Sequence, residues 1–273
     1  MTPTPDAGSS FGSEGHLREQ RQATESGGGS AQFVTRFRAA WAAHEDGEDR
    51  GPELLPMRLT QACRAVLPVD GAGLSLLDND FRVPLGASDD VAAAAERMQF
   101  TLGEGPCLDA ARERRVIVSD RNELMQRWPL YAHELFTRTP FSGVASVPLA
   151  LYRDTYAALD LFVSDSSRLG AVSLADVSAA SDEMVEALLA QTVPAPSSDD
   201  TLDDSEPAWL RSSTTRDRTF VWVAMGMMMT EFDIAAPDAL ALLRSYAYSQ
   251  DTDLDRVAAD LAGGELALSA LRP

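Results

Sequence analysis

The sequence predicts an α+β protein, an antiparallel sheet flanked by helices, followed by an all-α tail of three helices. Three observations carry this. Short apolar runs bounded by turn residues alternate with amphipathic stretches between residues 31 and 193. Residues 208–273 show only helical periodicities. Between them, 194–207 is rich in proline and acid, as an extended, self-repelling linker would be. The head, residues 1–30, is dominated by Gly, Ser, Thr, Pro and Gln and is expected to be disordered.

Taken in order, Phe33, Val34, Phe37 and Trp41 recur at helical spacing, and Leu55, Leu59, Ala62, Cys63 and Val66 stripe a second helix. Gly73-Leu-Ser-Leu-Leu reads as a buried strand. Asp78-Asn79-Asp80 is turn chemistry, and Phe81 to Ala87 a second strand. A short helix is expected from Asp89-Asp90 to Met98, a strand at Arg115-Val-Ile-Val-Ser, and a helix from Trp128 to Arg138. Gly143 to Leu151 and Ala157 to Val163 form an antiparallel pair around Tyr152-Arg-Asp-Thr, and Ser173 to Ala190 closes the unit with an amphipathic helix. In the tail, Arg218 to Thr230 is apolar almost all round, so other helices or a second chain must cover it. Pro237 suits the first turn of the next helix, which carries Leu240, Leu243, Tyr246 and Ala247. Thr252 and Asp255 resemble a capping box before a third helix striped by Leu254, Val257, Ala258 and Leu261, and Gly263-Gly264 ends it.

At 273 residues the chain has room for roughly two domains of about 100–200 residues each. No apolar run reaches the ~20 residues of a membrane span, and no signal-peptide pattern opens the chain, so a cytoplasmic protein is expected. Two cysteines, Cys63 and Cys107, cannot build a disulfide framework or a four-cysteine zinc site. The formal charge is −19 and every base is arginine. Such a field repels phosphate, so any nucleic-acid contact must come from a local patch. Residues 208–273, with six arginines against nine acids, are only mildly acidic.

Four stretches between residues 31 and 193 together resemble a GAF domain. They are Gly73-Leu-Ser-Leu-Leu-Asp, Leu102-Gly-Glu-Gly-Pro-Cys-Leu-Asp-Ala, Val116-Ile-Val-Ser-Asp and Gly143-Val-Ala-Ser-Val-Pro-Leu. The second is similar to the version found in actinobacterial proteins that join GAF to an ANTAR module. Ala224-Met-Gly-Met-Met-Met, Asp238-Ala239 through Leu243-Arg244, Ala247-Tyr248 and Val257-Ala258 resemble ANTAR, a three-helix RNA-binding antiterminator module. The family often carries a basic residue between the Ala and Gly of the first motif, where this chain has Met225.

The resemblance implies a sensor domain over 31–193 that receives a small-molecule or protein input. It implies an output domain over 208–273 that binds an RNA stem-loop in nascent mRNA and lets polymerase continue. Arg244 and Tyr248 lie at i, i+4 and share a helix face, and a guanidinium beside an aromatic ring suits unpaired RNA. Ala224, Ala247 and Ala258 are small residues that would let nucleic acid approach. Trp128, Phe141, Phe100 and Cys107 are the candidates for lining a sensor pocket.

Catalytic alternatives have less support. The Gly103-Glu-Gly-Pro-Cys turn could present backbone N–H groups to an anion or could be structural, and no Gly-Lys-Ser/Thr follows to make it a P-loop. Cys107 at a helix start could be a redox thiol, with Cys63 its sole resolving partner, as in GAF-fold methionine sulfoxide reductases, or both could be core residues. His16, His44 and His133 show no metal-ligand spacing, and no Gly-x-Ser-x-Gly elbow occurs. The expected function is a non-enzymatic, cofactor-free antitermination regulator acting as a homodimer. The alternatives are the thiol-dependent reductase and a dimerising sensor whose tail no longer binds RNA.

Overall fold

The structure, a computed structural model, describes residues 29–43, 51–78, 81–151, 155–191, 207–211 and 213–272. The expected head apart from 29–30, the expected linker apart from 207, the turn residues expected at 79–80 and 152–154, and His16 and His44 lie outside the described residues. Helix α1 (29–43) and α2 (Leu55–Val66) precede strands β1 (Gly71–Asp78) and β2 (Phe81–Ala87). Then come α3 (Asp90–Leu102), α4 (Pro106–Glu113), β3 (Ile117–Ser119), α5 (Arg121–Arg127) and α6 (Pro129–Arg138). Strands β4 (Gly143–Ala150) and β5 (Thr155–Val163) and helix α7 (Leu174–Ala190) complete this part. The tail contributes α8 (Ser213–Phe232), α9 (Ala236–Ser249) and α10 (Leu254–Gly263).

The five strands form one antiparallel sheet in the order β2-β1-β5-β4-β3. Because side chains alternate along a strand, each strand feeds two layers. Leu74, Leu159, Leu161 and Val147 point to one face, where Phe33, Phe37, Leu55, Leu59, Val177, Met184 and Leu188 of α1, α2 and α7 cover them. On the other face Val144, Phe162 and Ile117 pack with Ala92, Ala95, Leu124, Trp128, Tyr131 and Leu135 of the intervening helices. Trp209, assigned to the tail by the sequence, is buried in the first of these cores, and its indole N–H donates to the Leu188 carbonyl at 3.2 Å.

Several boundaries differ from the sequence reading. Helix α3 runs four residues past Met98, to Leu102, where Gly103 at φ 70° ends it in the left-handed region. The helix expected from Trp128 is preceded by α5, which Asp120 starts with a capping box: its carboxylate accepts from Asn122 N and Glu123 N, and Glu123 accepts from Asp120 N. At α10 the N-cap is Asp253, and the Thr252–Asp255 capping box does not form. Pro237 does lie in the first turn of α9, and Gly264 at φ 81° closes α10. Among the described residues no single helix is long and apolar enough to cross a membrane.

The three tail helices share a third core. Val221, Ala224, Met225 and Met228 of α8 meet Ala239, Leu240, Leu243 and Ala247 of α9 and Leu254, Val257, Ala258 and Leu261 of α10. Phe100, from α3 of the sheet unit, completes it at 5% exposure. The opposite side of α8 stays open, with Phe220 and Val223 exposed.

Candidate functional site

Two places combine polar chemistry with a defined geometry. The first lies inside the sheet unit. One register row crosses three strands through Gly73, Asp160 and Ser146, all on the face under α3 and α4. Arg82 reaches into this row from β2 with its side chain fully buried. Its guanidinium donates to the Glu96 backbone carbonyl at 2.6 Å, pairs with the Glu96 carboxyl and stands 4.0 Å from Asp160. Ser75 donates to Glu96 and Ser146 to Asp160. Gln99 donates to Asp160 at 2.5 Å, and its carbonyl accepts from Cys107 N at 3.1 Å, which ties the start of α4 to α3. Gly73 is required here: a Cβ on it would come within 2.4 Å of Glu96 Cγ.

One guanidinium faces two carboxyls in this interior. Burial first, and then the neighbouring Asp160 charge against the pull of Arg82, pushes the Glu96 carboxyl up to about 8. Burial likewise drives the Cys107 thiol and the Tyr131 phenol well above their ordinary values. Glu96 Oε1, Arg82 Nε and Tyr131 Oη have no hydrogen-bond partner among the described residues.

The four residues expected to line a ligand pocket are distributed among three different cores and do not meet around one cavity. Trp128 and Phe141 are buried in the second core, and Cys107 packs with Leu77 and Ala158. Phe100 turns outward into the tail core. None of the cavities described is lined by Trp128, Phe141 or Cys107, and the one touching Phe100 measures about 10 Å³. The aromatic rings fill the interior instead of walling a void: Phe141 stacks on Phe162 at 5.0 Å. The thiols are no nearer a redox pair. Cys63 belongs to the core on the opposite face of the sheet, and burial pushes it up to about 12.

The second place is the junction of α3 with the tail. Arg244 Nε donates to the Phe100 carbonyl at 3.1 Å, and its guanidinium lies 5.8 Å from the Phe100 ring centroid. Gly103 brings the turn after α3 so close that a Cβ there would sit 2.7 Å from Arg244 Nη1. Leu254 N, at the start of α10, donates to Thr101 Oγ1 at 3.4 Å. Arg138 pairs with Asp251, and Arg97 lies 3.6 Å from Asp253. These pairs are exposed and contribute at most about 1 kcal/mol each. Burying Phe100 supplies roughly 2–3 kcal/mol, so the apolar wedge dominates the docking.

Arg244 has no carboxylate within ion-pair distance among the described residues. Burial, followed by the charges of Arg82 and Arg112, lowers its guanidinium to about 10, so it remains a cation at neutral pH. Tyr248, one turn on, is 49% exposed. The other three residues expected to meet RNA do not reach the surface. Ala224, Ala247 and Ala258 are fully buried, and their small side chains let α8, α9 and α10 approach one another. Met225 is buried beside Arg82 and Phe100. A basic side chain at 225 would place a second cation against Arg82 in a space of about 10 Å³, a cost the thioether avoids.

The sequence reading missed Arg82, Glu96, Gln99 and Asp160. One signal was present: Asp160 is the lone acid in the apolar run Ala157-Ala-Leu-Asp-Leu-Phe-Val. No metal-holding group of three or more His, Cys, Asp or Glu occurs among the described residues. Compared with known proteins, the chain matches no family model and no curated protein.

Proposed function

We propose that the chain is a signal-responsive RNA-binding regulator, with a GAF-like sensor coupled to an ANTAR-like output, whose RNA-contacting face is held against the sensor in the arrangement described. An antiparallel sheet between helices and a separate three-helix core agree with the resemblance in the sequence. The observation that carries the reading is Arg244. In a chain of charge −19 it is a cation with no acid partner among the described residues, one helical turn from a half-exposed tyrosine. The two nearby tail acids, Asp251 and Asp253, are engaged by Arg138 and Arg97 of the sensor.

Docking masks most of Arg244 and leaves Tyr248 accessible. An input that loosens the junction would uncover both, which is a population shift between docked and released tails. Two buried thiols in separate cores, each pushed far from thiolate formation, favour this binding role over the sulfoxide-reductase alternative. The open apolar side of α8 favours a second copy as a partner within the same reading.

The test captures transcripts with the full chain and with Arg97→Glu/Arg138→Glu, which breaks both ion pairs from the sensor side. The double variant is more acidic, so stronger RNA capture by it reports release of the tail and not added positive charge. Adding Arg244→Ala should abolish the gain. Recovery of no RNA above background by any of the three proteins would reject the reading.

A further inference from the structure

A groove of about 320 Å³ runs along the docked junction. Thr101, Gly103 and Leu130 line it from the sensor, and Arg244, Ser245 and Tyr248 from the tail. Arg244 Nε is engaged by the Phe100 carbonyl, and among the described residues no hydrogen bond holds its two Nη atoms, so the edge they form is offered to a ligand. Leu130 and Tyr248 are both nearly half exposed, and they offer a flat apolar wall and a ring. Thr101 and Ser245 border the same space. The larger grooves beside α7 differ: Arg38, the one cation lining them among the described residues, is already bonded to Glu183.

We propose that this junction groove is a binding site for a small organic phosphate carrying a planar ring, of mononucleotide size. A guanidinium edge receives phosphate oxygens two at a time, and an aromatic side chain stacks on a planar ring. The volume lies at the lower end of the ~300–1,000 Å³ usual for small-molecule sites. A phosphate carries up to two negative charges where a carboxylate carries one, and Arg244 has no carboxylate within ion-pair distance among the described residues to oppose them. The ligand would touch both sides of the junction, so its binding energy adds to docking, and it acts as a clamp on the tail. The site itself is independent of the RNA reading; its effect as an antagonist of RNA capture rests on that reading.

Calorimetric titration of the full chain tests this with AMP, adenosine and inorganic phosphate as probes. AMP should bind, and adenosine and phosphate should each bind at least tenfold more weakly, because each lacks one half of the recognition. Arg244→Gln should weaken AMP at least tenfold. Leu130→Asp, on the sensor wall, should do the same while leaving the Arg244–Phe100 bond in place. AMP should also slow amide exchange in α9 of the wild-type chain. An absence of AMP binding overturns the proposal, even if the Arg97→Glu/Arg138→Glu protein captures RNA. AMP affinity unchanged in both groove variants overturns it equally.

Discussion

Replacing Glu96 by Gln should change how the stability of the chain depends on pH. Glu96 has a side chain 2% exposed, faced by Arg82 from β2, Asp160 from β5, Cys107 from α4 and Tyr131 from α6. Its folded carboxyl is pushed up to about 8 from an ordinary 4.5. Between those two values the folded chain keeps a proton that the unfolded chain has released. The contribution to stability is therefore complete below the unfolded value and is lost as pH rises through the folded one. The slope approaches 1.4 kcal/mol per pH unit, or ~3 kcal/mol between pH 5 and 7 as an upper bound. Glutamine mimics the protonated acid: its carbonyl still accepts from Arg82 and Ser75. Urea denaturation at pH 5, 6, 7 and 8 should show wild-type stability falling with pH and a flatter profile for Glu96→Gln. The variant should be the less stable protein at pH 5 and should close the gap, or overtake, by pH 8. Parallel profiles for the two proteins would refute the protonated-carboxyl argument.

Phe100→Ala should cost about 3–5 kcal/mol, the usual loss for a buried phenylalanine. It should also make the tail more sensitive to limited proteolysis than the sheet unit. Gly103→Ala should lose about 1 kcal/mol from its φ of 70° alone, and should accelerate amide exchange in α9 because the new methyl group displaces Arg244. Both cysteines should resist a thiol reagent in the native chain and react together on unfolding, since Cys63 and Cys107 are fully buried; rapid modification of Cys107 in the native chain would restore the redox-thiol alternative. Asp120→Ala should remove the cap of α5 at a cost of about 1 kcal/mol in chemical denaturation.

Local chemistry explains which parts of this were legible in the sequence. The strand from Phe81 to Ala87, the pair around residue 152 and the stop at Gly264 were readable because alternation, turn residues and glycine act within a few positions. Helix α5 was hidden: it is seven residues long and has too few turns to show a period. The small residues Ala224, Ala247 and Ala258 carried a spacing but no direction, and the same alanines serve a helix seam as well as an open face. Arg82 sits on the edge strand β2 with its side chain buried, and no residue close to it in sequence marks it as inward. Its inward path depends on Gly73 leaving room and on Glu96 arriving from a helix, partners 9 and 14 residues away. The docking of Phe100 on Arg244 spans 144 residues and belongs to tertiary packing alone.

The wedge formed by Phe100 has a consequence for dissecting the chain. The tail's apolar interior is finished by a ring that belongs to the other half of the molecule. A fragment cut after the acidic linker would expose the hole this ring fills, and Arg244 would lose its anchor. Its behaviour would then report a repacked or self-associated species, so the three tail helices are best studied with the sheet unit attached.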